Sequence, residues 1–340
     1  MLYRLSRSFL LSSFILIVLL AVTLSGCGST GTGNNTSTSS TSSNLTNVSI
    51  AFGYIPDIQF SPFYVAESKG YYRAAGLNVT FHHGFVTDLI GSMVVGHDTF
   101  VMASGDEVLV ARNKNLPVVD VSTIYQRYPV SIIVPADSPI HTLADLKGHT
   151  IGEPGPFGAT HVGLLALLYH AHLSLSDVHV QTIGFTQVTA LLTHRVDAVV
   201  GYSNNEPLQL QKEGMVVRTF DVSDYQPLVS NGIITTENTL QSKPQVVKAF
   251  VQATLKGLRD VIANPQAAVQ TSASYIPGMD QSKALSVLQA TIPVWQGDGH
   301  VALGVNDSAT WQSMTQFLVA SQIIPQPADL SKAYTNQFVS

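Results

Sequence analysis

Cysteine is nearly absent: Cys27 is the sole thiol in 340 residues. No intramolecular disulfide can form, and thiol catalysis or thiolate metal binding has no residue to use anywhere else in the chain. Charge is scarce too. Acidic and basic residues make up 11% of the chain, and the formal net charge is −5. That balance lacks the basic footprint of a nucleic-acid partner and the basic face of a protein lying on anionic lipid. Metal ligands at workable spacing are also missing, despite eleven histidines. His82 and His83 would point to opposite faces of a strand, and His170 and His172 would diverge on a helix. No metal and no cofactor is expected.

What is present begins at the N-terminus. Arg4 and Arg7 precede an apolar run over residues 9–22. At about fourteen residues it is short of the roughly 20 a spanning helix needs. The run ends in Leu24-Ser25-Gly26-Cys27, the order of parts of a secretory signal. Leu-Ser-Gly-Cys resembles the lipobox of bacterial lipoproteins, which implies cleavage after residue 26 and acylation of Cys27. Loss of residues 1–26 removes two arginines and no acid, taking the net charge from −5 to −7. Residues 28–46 are Gly, Ser, Thr and Asn with almost no apolar side chain. Such a stretch cannot bury enough surface to offset its ordering entropy and reads as a tether.

The remaining chain alternates short apolar runs with helical patterns. Strands are expected at 48–53, 77–81, 100–103 and 117–124, with helices at 62–75, 88–95 and 106–113. The rhythm restarts with an apolar run at 130–135 and strands at 150–152, 178–183 and 197–201, with helices at 161–172 and 187–194. Residues 243–263 carry a helical apolar stripe, and further helices are expected at 282–291 and 307–321. This points to an α/β fold with mostly parallel strands in two units. The expected division is leader 1–26, lipidated cysteine and tether 27–47, first part of lobe 1 at 48–131, lobe 2 at 132–230, and a return to lobe 1 with the C-terminal helices at 231–340.

In open α/β sheets ligands bind beyond the carboxyl ends of strands, and four punctuated loops stand there. Tyr54, Asp57, Gln59 and Phe60 follow the first strand, with Tyr64 close behind. Ser104 and Asp106 follow the third. Phe157, Gly158 and Thr160 open a long helix whose first N–H groups are unspent. Tyr202, Asn204, Asn205 and Glu206 follow the last strand of the second unit, and Tyr125 and Phe185 lie near other strand ends. Singly, each aromatic reads equally well as core or hinge packing. Ser104-Gly105-Asp106-Glu107 and Asn204-Asn205-Glu206 also read as helix caps. Together these side chains suit a flat ring with hydrogen-bonding edges.

Gly53-Tyr54-Ile55-Pro56-Asp57, Phe63 to Tyr72 and Gly76-Leu77-Asn78-Val79 resemble the opening of the solute-binding proteins of ABC importers for nitrate, sulfonates and thiamine pyrimidine precursors. Ser104-Gly105-Asp106, Asp145-Leu146-Lys147-Gly148, Gly155 to Ala159 and Arg195-Val196-Asp197-Ala198 extend the resemblance to nearly the whole body. It implies a two-lobed clamp of the type II periplasmic-binding-protein kind with its ligand between the lobes. It also implies a monomer on the outer face of a membrane, working with a permease and an ATPase. The opening departs from the Asp-Trp-x-Pro-Asn of the thiamine-precursor branch. Phe185 to Val188 and Gly201 to Pro207 resemble the riboflavin-binding branch more, so a flat vitamin or vitamin precursor is expected, riboflavin first. A small anion is the alternative ligand, although Arg127 is the only cation near these loops. Catalytic members of the fold, pyrimidine synthases and a desulfinase, depend on body cysteines that this chain lacks, so no enzyme activity is expected.

Labelled palmitate should mark the wild-type chain and not Cys27→Ser; a labelled variant overturns the lipid assignment.

Overall fold

The computed structural model describes residues 45–340 apart from Phe85. The leader, Cys27 and almost all of the tether lie outside the described residues. The tether, expected to reach residue 47, ends sooner: Thr46 and Asn47 are already in a strand. Thr46 N donates to Gly76 O at 2.9 Å, and Asn78 Nδ2 donates to Asn47 Oδ1 at 2.8 Å.

Ten strands are found among the described residues. They are β1 (Thr46–Phe52), β2 (Leu77–His83), β3 (Phe100–Ser104), β4 (Val118–Thr123) and β5 (Val130–Pro135). Then come β6 (Thr150–Glu153), β7 (His179–Thr182), β8 (Ala198–Tyr202), β9 (Val217–Asp221) and β10 (Asn231–Thr236). They form two five-stranded sheets, ordered β2-β1-β3-β10-β4 and β7-β6-β8-β5-β9. The mostly parallel α/β layout is what the alternation implied. One strand in each sheet is reversed: β10 runs antiparallel to β3 and β4, and β5 runs antiparallel to β8 and β9.

The reversals follow from how the chain changes sheets. It crosses from β4 to β5 through residues 124–129 and returns from β9 to β10 through residues 222–230. Each crossing leaves the carboxyl end of one strand and enters the other sheet after a few residues. The entering strand must therefore run away from that end. All other strands keep their carboxyl ends toward the crossings, where ligands bind in such sheets.

The expected helix at 62–75 is broken. Ser61–Ser68 and Tyr71–Ala74 are separate helices because Gly70 takes a left-handed conformation at φ +70°. The long helix Pro244–Ala263 buries most of its expected stripe, with Val247, Phe250, Val251, Leu255 and Leu258 inaccessible. Phe250 stacks on Phe100 at 4.2 Å and on Tyr72 at 5.2 Å, tying this helix to the first sheet. The opposite face of the first sheet shares a core with the second. Val108 and Leu109 lie in one apolar cluster with Val130, Leu164, Leu228 and Met314, so the two lobes are joined beneath the cleft. No helix of the described residues is long and apolar enough to cross a membrane.

Pro244–Ala263 lies so close to Ser61–Ser68 that a Cβ on Gly257 would come within 2.2 Å of the Pro62 carbonyl oxygen. Backbone cannot give way as a side-chain tip can. Gly257→Ala should cost about 2–3 kcal/mol in urea unfolding. An unchanged midpoint would overturn this packing.

Candidate functional site

Strand ends and crossings bring their side chains to one cavity. After β1, Asp57 Oδ1 accepts the Gln59 N–H at 3.0 Å and so winds the short turn Ile58–Phe60. That turn sets Gln59 and Phe60 in the wall. After β3, Glu107 Oε2 accepts from both Ser104 N and Ser104 Oγ at 2.9 Å, closing a capping box over the helix Gly105–Asn113. After β6, Phe157 and Gly158 begin the helix Gly158–His170, with Gly158 at φ +73°. A side chain there would be strained. After β8, Glu206 Oε2 accepts the Tyr202 N–H at 2.7 Å at the start of Glu206–Lys212. Tyr125 comes from the first crossing, and Asn231 opens β10. Together they line one concave cavity of about 110 Å³ beneath an open mouth.

The lobes touch around this space. Tyr54 of the first lobe meets Phe185 of the second edge-on, with ring centroids 4.7 Å apart. Asn231 Nδ2 donates to the Tyr202 hydroxyl at 3.3 Å. Asn204 Nδ2 donates to Gln59 Oε1 at 2.8 Å and to Thr291 Oγ1 at 2.7 Å. The Tyr128 hydroxyl is 3.0 Å from Asp106 Oδ1 and 2.9 Å from the Ala159 carbonyl oxygen. One phenolic hydrogen faces two acceptors, so the network is complete when Asp106 carries a proton. Burial holds Asp106 above the usual carboxyl range, which fits.

Low dielectric marks the other acids as well. Burial raises Glu107 and Asp57, and pushes Glu206 from 4.5 to about 7. The Tyr54 phenol is raised by burial and then by Glu206. Glu107 Oε1 and Asn231 Oδ1 are buried acceptors without a hydrogen-bond partner among the described residues, and both residues line the cavity. A ligand offering N–H or O–H groups would complete them.

Of the expected site residues, the cavity gathers Tyr54, Gln59, Phe60, Tyr125, Phe157 and Gly158. Thr160, Phe185, Tyr202, Asn205 and Glu206 join them. Five others are outside the lining. Asp57 caps its turn, and Ser104 is the helix cap. Asp106 is fully buried against Tyr128. Tyr64 stacks on Tyr275 at 4.7 Å within the first lobe's core, and Asn204 forms the clasp to Gln59 and Thr291. Arg127 is not in the lining and spends its guanidinium on Ser223 and Asp224 at 2.7 Å each. Sequence reasoning passed over Glu107, Gln187, Asn231 and Met102 as site residues. Glu107 was visible as the fourth member of the capping motif; Asn231 had no signal, because its position depends on a strand entering backwards. Among the described residues no cluster of three or more His, Cys, Asp or Glu is arranged to hold a metal ion.

The model of the family described as "NMT1/THI5 like" matches residues 57–268. A riboflavin-binding protein, RibY, from Chloroflexus aurantiacus is 39% identical over 87% of this chain and 86% of its own. A formylaminopyrimidine-binding protein from Halalkalibacterium halodurans is 27% identical over 86% of this chain and 90% of its own. Among solved structures, the alkanesulfonate-binding protein SsuA from Xanthomonas axonopodis pv. citri, bound to MOPS, superposes with a TM-score of 0.70 at 17% identity. That match covers 86% of this chain and 99% of SsuA. At that identity the likeness speaks for the fold, which is that of the periplasmic binding proteins.

Because the folded Glu206 is raised above its ordinary value of 4.5, its native state holds a proton that the unfolded chain releases. Its contribution to stability is complete below about pH 4.5 and is lost as pH rises through about 7. The ligand-free protein should therefore weaken over that window, by on the order of 3 kcal/mol from this group. Glu206→Gln, which cannot ionise, should flatten the decline in thermal midpoint. An identical slope in wild type and variant refutes the assignment.

Proposed function

The chain belongs to the NMT1/THI5-like family, and from that premise we propose that it is the solute-binding protein of an ABC importer, capturing riboflavin outside the cell membrane. The observation that carries this reading is the make-up of the cavity. Tyr54, Phe60, Tyr125, Phe157, Phe185 and Tyr202 supply apolar faces, while Gln59, Asn205, Gln187 and Asn231 supply donors and acceptors. A broad heteroaromatic ring with polar edges and a hydroxylated chain uses both kinds of surface. The identity to the riboflavin-binding relative, spread over most of both chains, supports the same ligand.

The protein carries ligand rather than transforming it. Cys27 is the only cysteine, and in this reading it bears acyl chains that hold the body near a permease and its ATPase. Capture proceeds by hinge closure about residues 124–129 and 222–230. Ligand prefers the closed arrangement, in which Tyr54 and Phe185 meet, and shifts the population toward it. A single-ring pyrimidine is the second reading, favoured by the formylaminopyrimidine-binding relative.

Riboflavin fluorescence should be quenched on titration with the purified body, with a dissociation constant below about 1 μM. Tyr202→Ala and Asn205→Ala should each weaken binding about tenfold or more while keeping the native fold by circular dichroism. No quenching, together with tight binding of formylaminopyrimidine or an alkanesulfonate, would overturn the choice of ligand.

A further inference from the structure

We propose that this cavity accepts only uncharged ligands, and that Glu107 and Glu206 are the residues that turn anions away, phosphate monoesters above all. The inference rests on the reading of the site as a riboflavin pocket and sets its specificity: the free vitamin enters and its 5′-phosphate does not.

Among the described residues no lysine, arginine or histidine lines the cavity, and two carboxyls do. Both are anchored through Oε2, and Glu206 Oε1 also accepts from Asn205 Nδ2 at 3.5 Å. Glu206, 4% exposed, is fixed through Oε2 by the Tyr202 N–H at 2.7 Å. Glu107 is fixed through Oε2 by the Ser104 backbone and hydroxyl. Oε1 of Glu107 remains as an acceptor, as does Oδ1 of Asn231. An uncharged ligand's N–H or O–H group satisfies such acceptors. A phosphate monoester brings about −1.5 to −2 charges and, in the dianion, only acceptors. It would set oxygen against oxygen in a space walled by aromatic rings, where charge is poorly screened.

One feature favours an anion: the first N–H groups of the helix Gly158–His170, which begins in the cavity wall without a side-chain cap. A helix terminus is worth about half a positive charge. It shares the cavity with two carboxyls, which once ionised above about pH 8 outweigh it. Arg127, which might have reversed it, is committed to Ser223 and Asp224.

Calorimetric titration at pH 9, where both carboxyls are ionised, with riboflavin, riboflavin 5′-phosphate and ethanesulfonate tests this on wild type, Glu107→Gln, Glu206→Gln and the double variant. Glutamine keeps an oxygen for the fixed N–H groups, and a thermal melt checks the fold of each. Wild type should bind riboflavin at least about 100-fold more tightly than its phosphate and should not bind ethanesulfonate. That ratio should fall about tenfold or more in at least one glutamine variant. Comparable affinity for riboflavin and its phosphate, or a measurable wild-type affinity for ethanesulfonate, overturns the proposal. A large ratio unchanged in all variants overturns it as well, since the carboxyls then do no excluding. If riboflavin itself fails to bind, the preceding reading of the ligand falls, and the two anions still decide this one. Anion binding gained only in the glutamine variants supports it, and anion binding absent throughout or present in wild type refutes it.

Discussion

The two crossings between sheets are the constraint on which the rest depends. Residues 124–129 and 222–230 each leave a strand at its carboxyl end and enter the neighbouring sheet within a few residues. That requirement reverses β5 and β10 and turns the remaining strand ends toward one shared space. The crossings also supply the polar groups that join the lobes. Tyr128 stands between Asp106 of the first lobe and the Ala159 carbonyl of the second, and Asn231, directly after the return, reaches Tyr202. An apolar core runs beneath them through Val130, Leu228 and Val229.

The cavity's chemistry follows from being walled by rings and strand ends. Aromatic faces exclude water, and exclusion of water lifts the acids: Glu206 to about 7, with Glu107 above its ordinary range. Once ionised, such groups repel an anion and accept hydroxyl or imide hydrogens. Closure is supported from outside the lining by Asn204, whose amide spans Gln59 and Thr291. A buried amide of that kind is stabilised by these two acceptors, since leaving its N–H groups buried and unpaired would be costly.

The site was partly legible, for identifiable reasons. Loops after β1, β6 and β8 announce themselves through Pro, Gly and Asn beside aromatics, and nine residues picked from them line the cavity. Tyr64 shares the composition of those residues but sits on the inner face of its helix, stacked on Tyr275 from a segment some two hundred positions away. No local pattern distinguishes a tyrosine facing a ligand from one facing another tyrosine. Asn204 and Asn205 are adjacent and alike, yet the first clasps the other lobe and the second lines the cavity. Glu107 was legible as a cap and not as a wall; the same carboxylate does both because its helix begins at the cleft.

By itself the sequence determined the α/β alternation, the single cysteine, and the scarcity of cationic side chains near the strand ends. These are local or compositional properties: period of hydrophobicity, turn residues and charge count. Only the tertiary structure decided which way β5 and β10 run, which of neighbouring side chains face the cavity, and that Arg127 is spent on Asp224. It also decided that Asn231 lines the cavity. Those outcomes depend on contacts between residues tens to hundreds of positions apart, and their free energies come from burial and pairing that no short stretch of chain encodes.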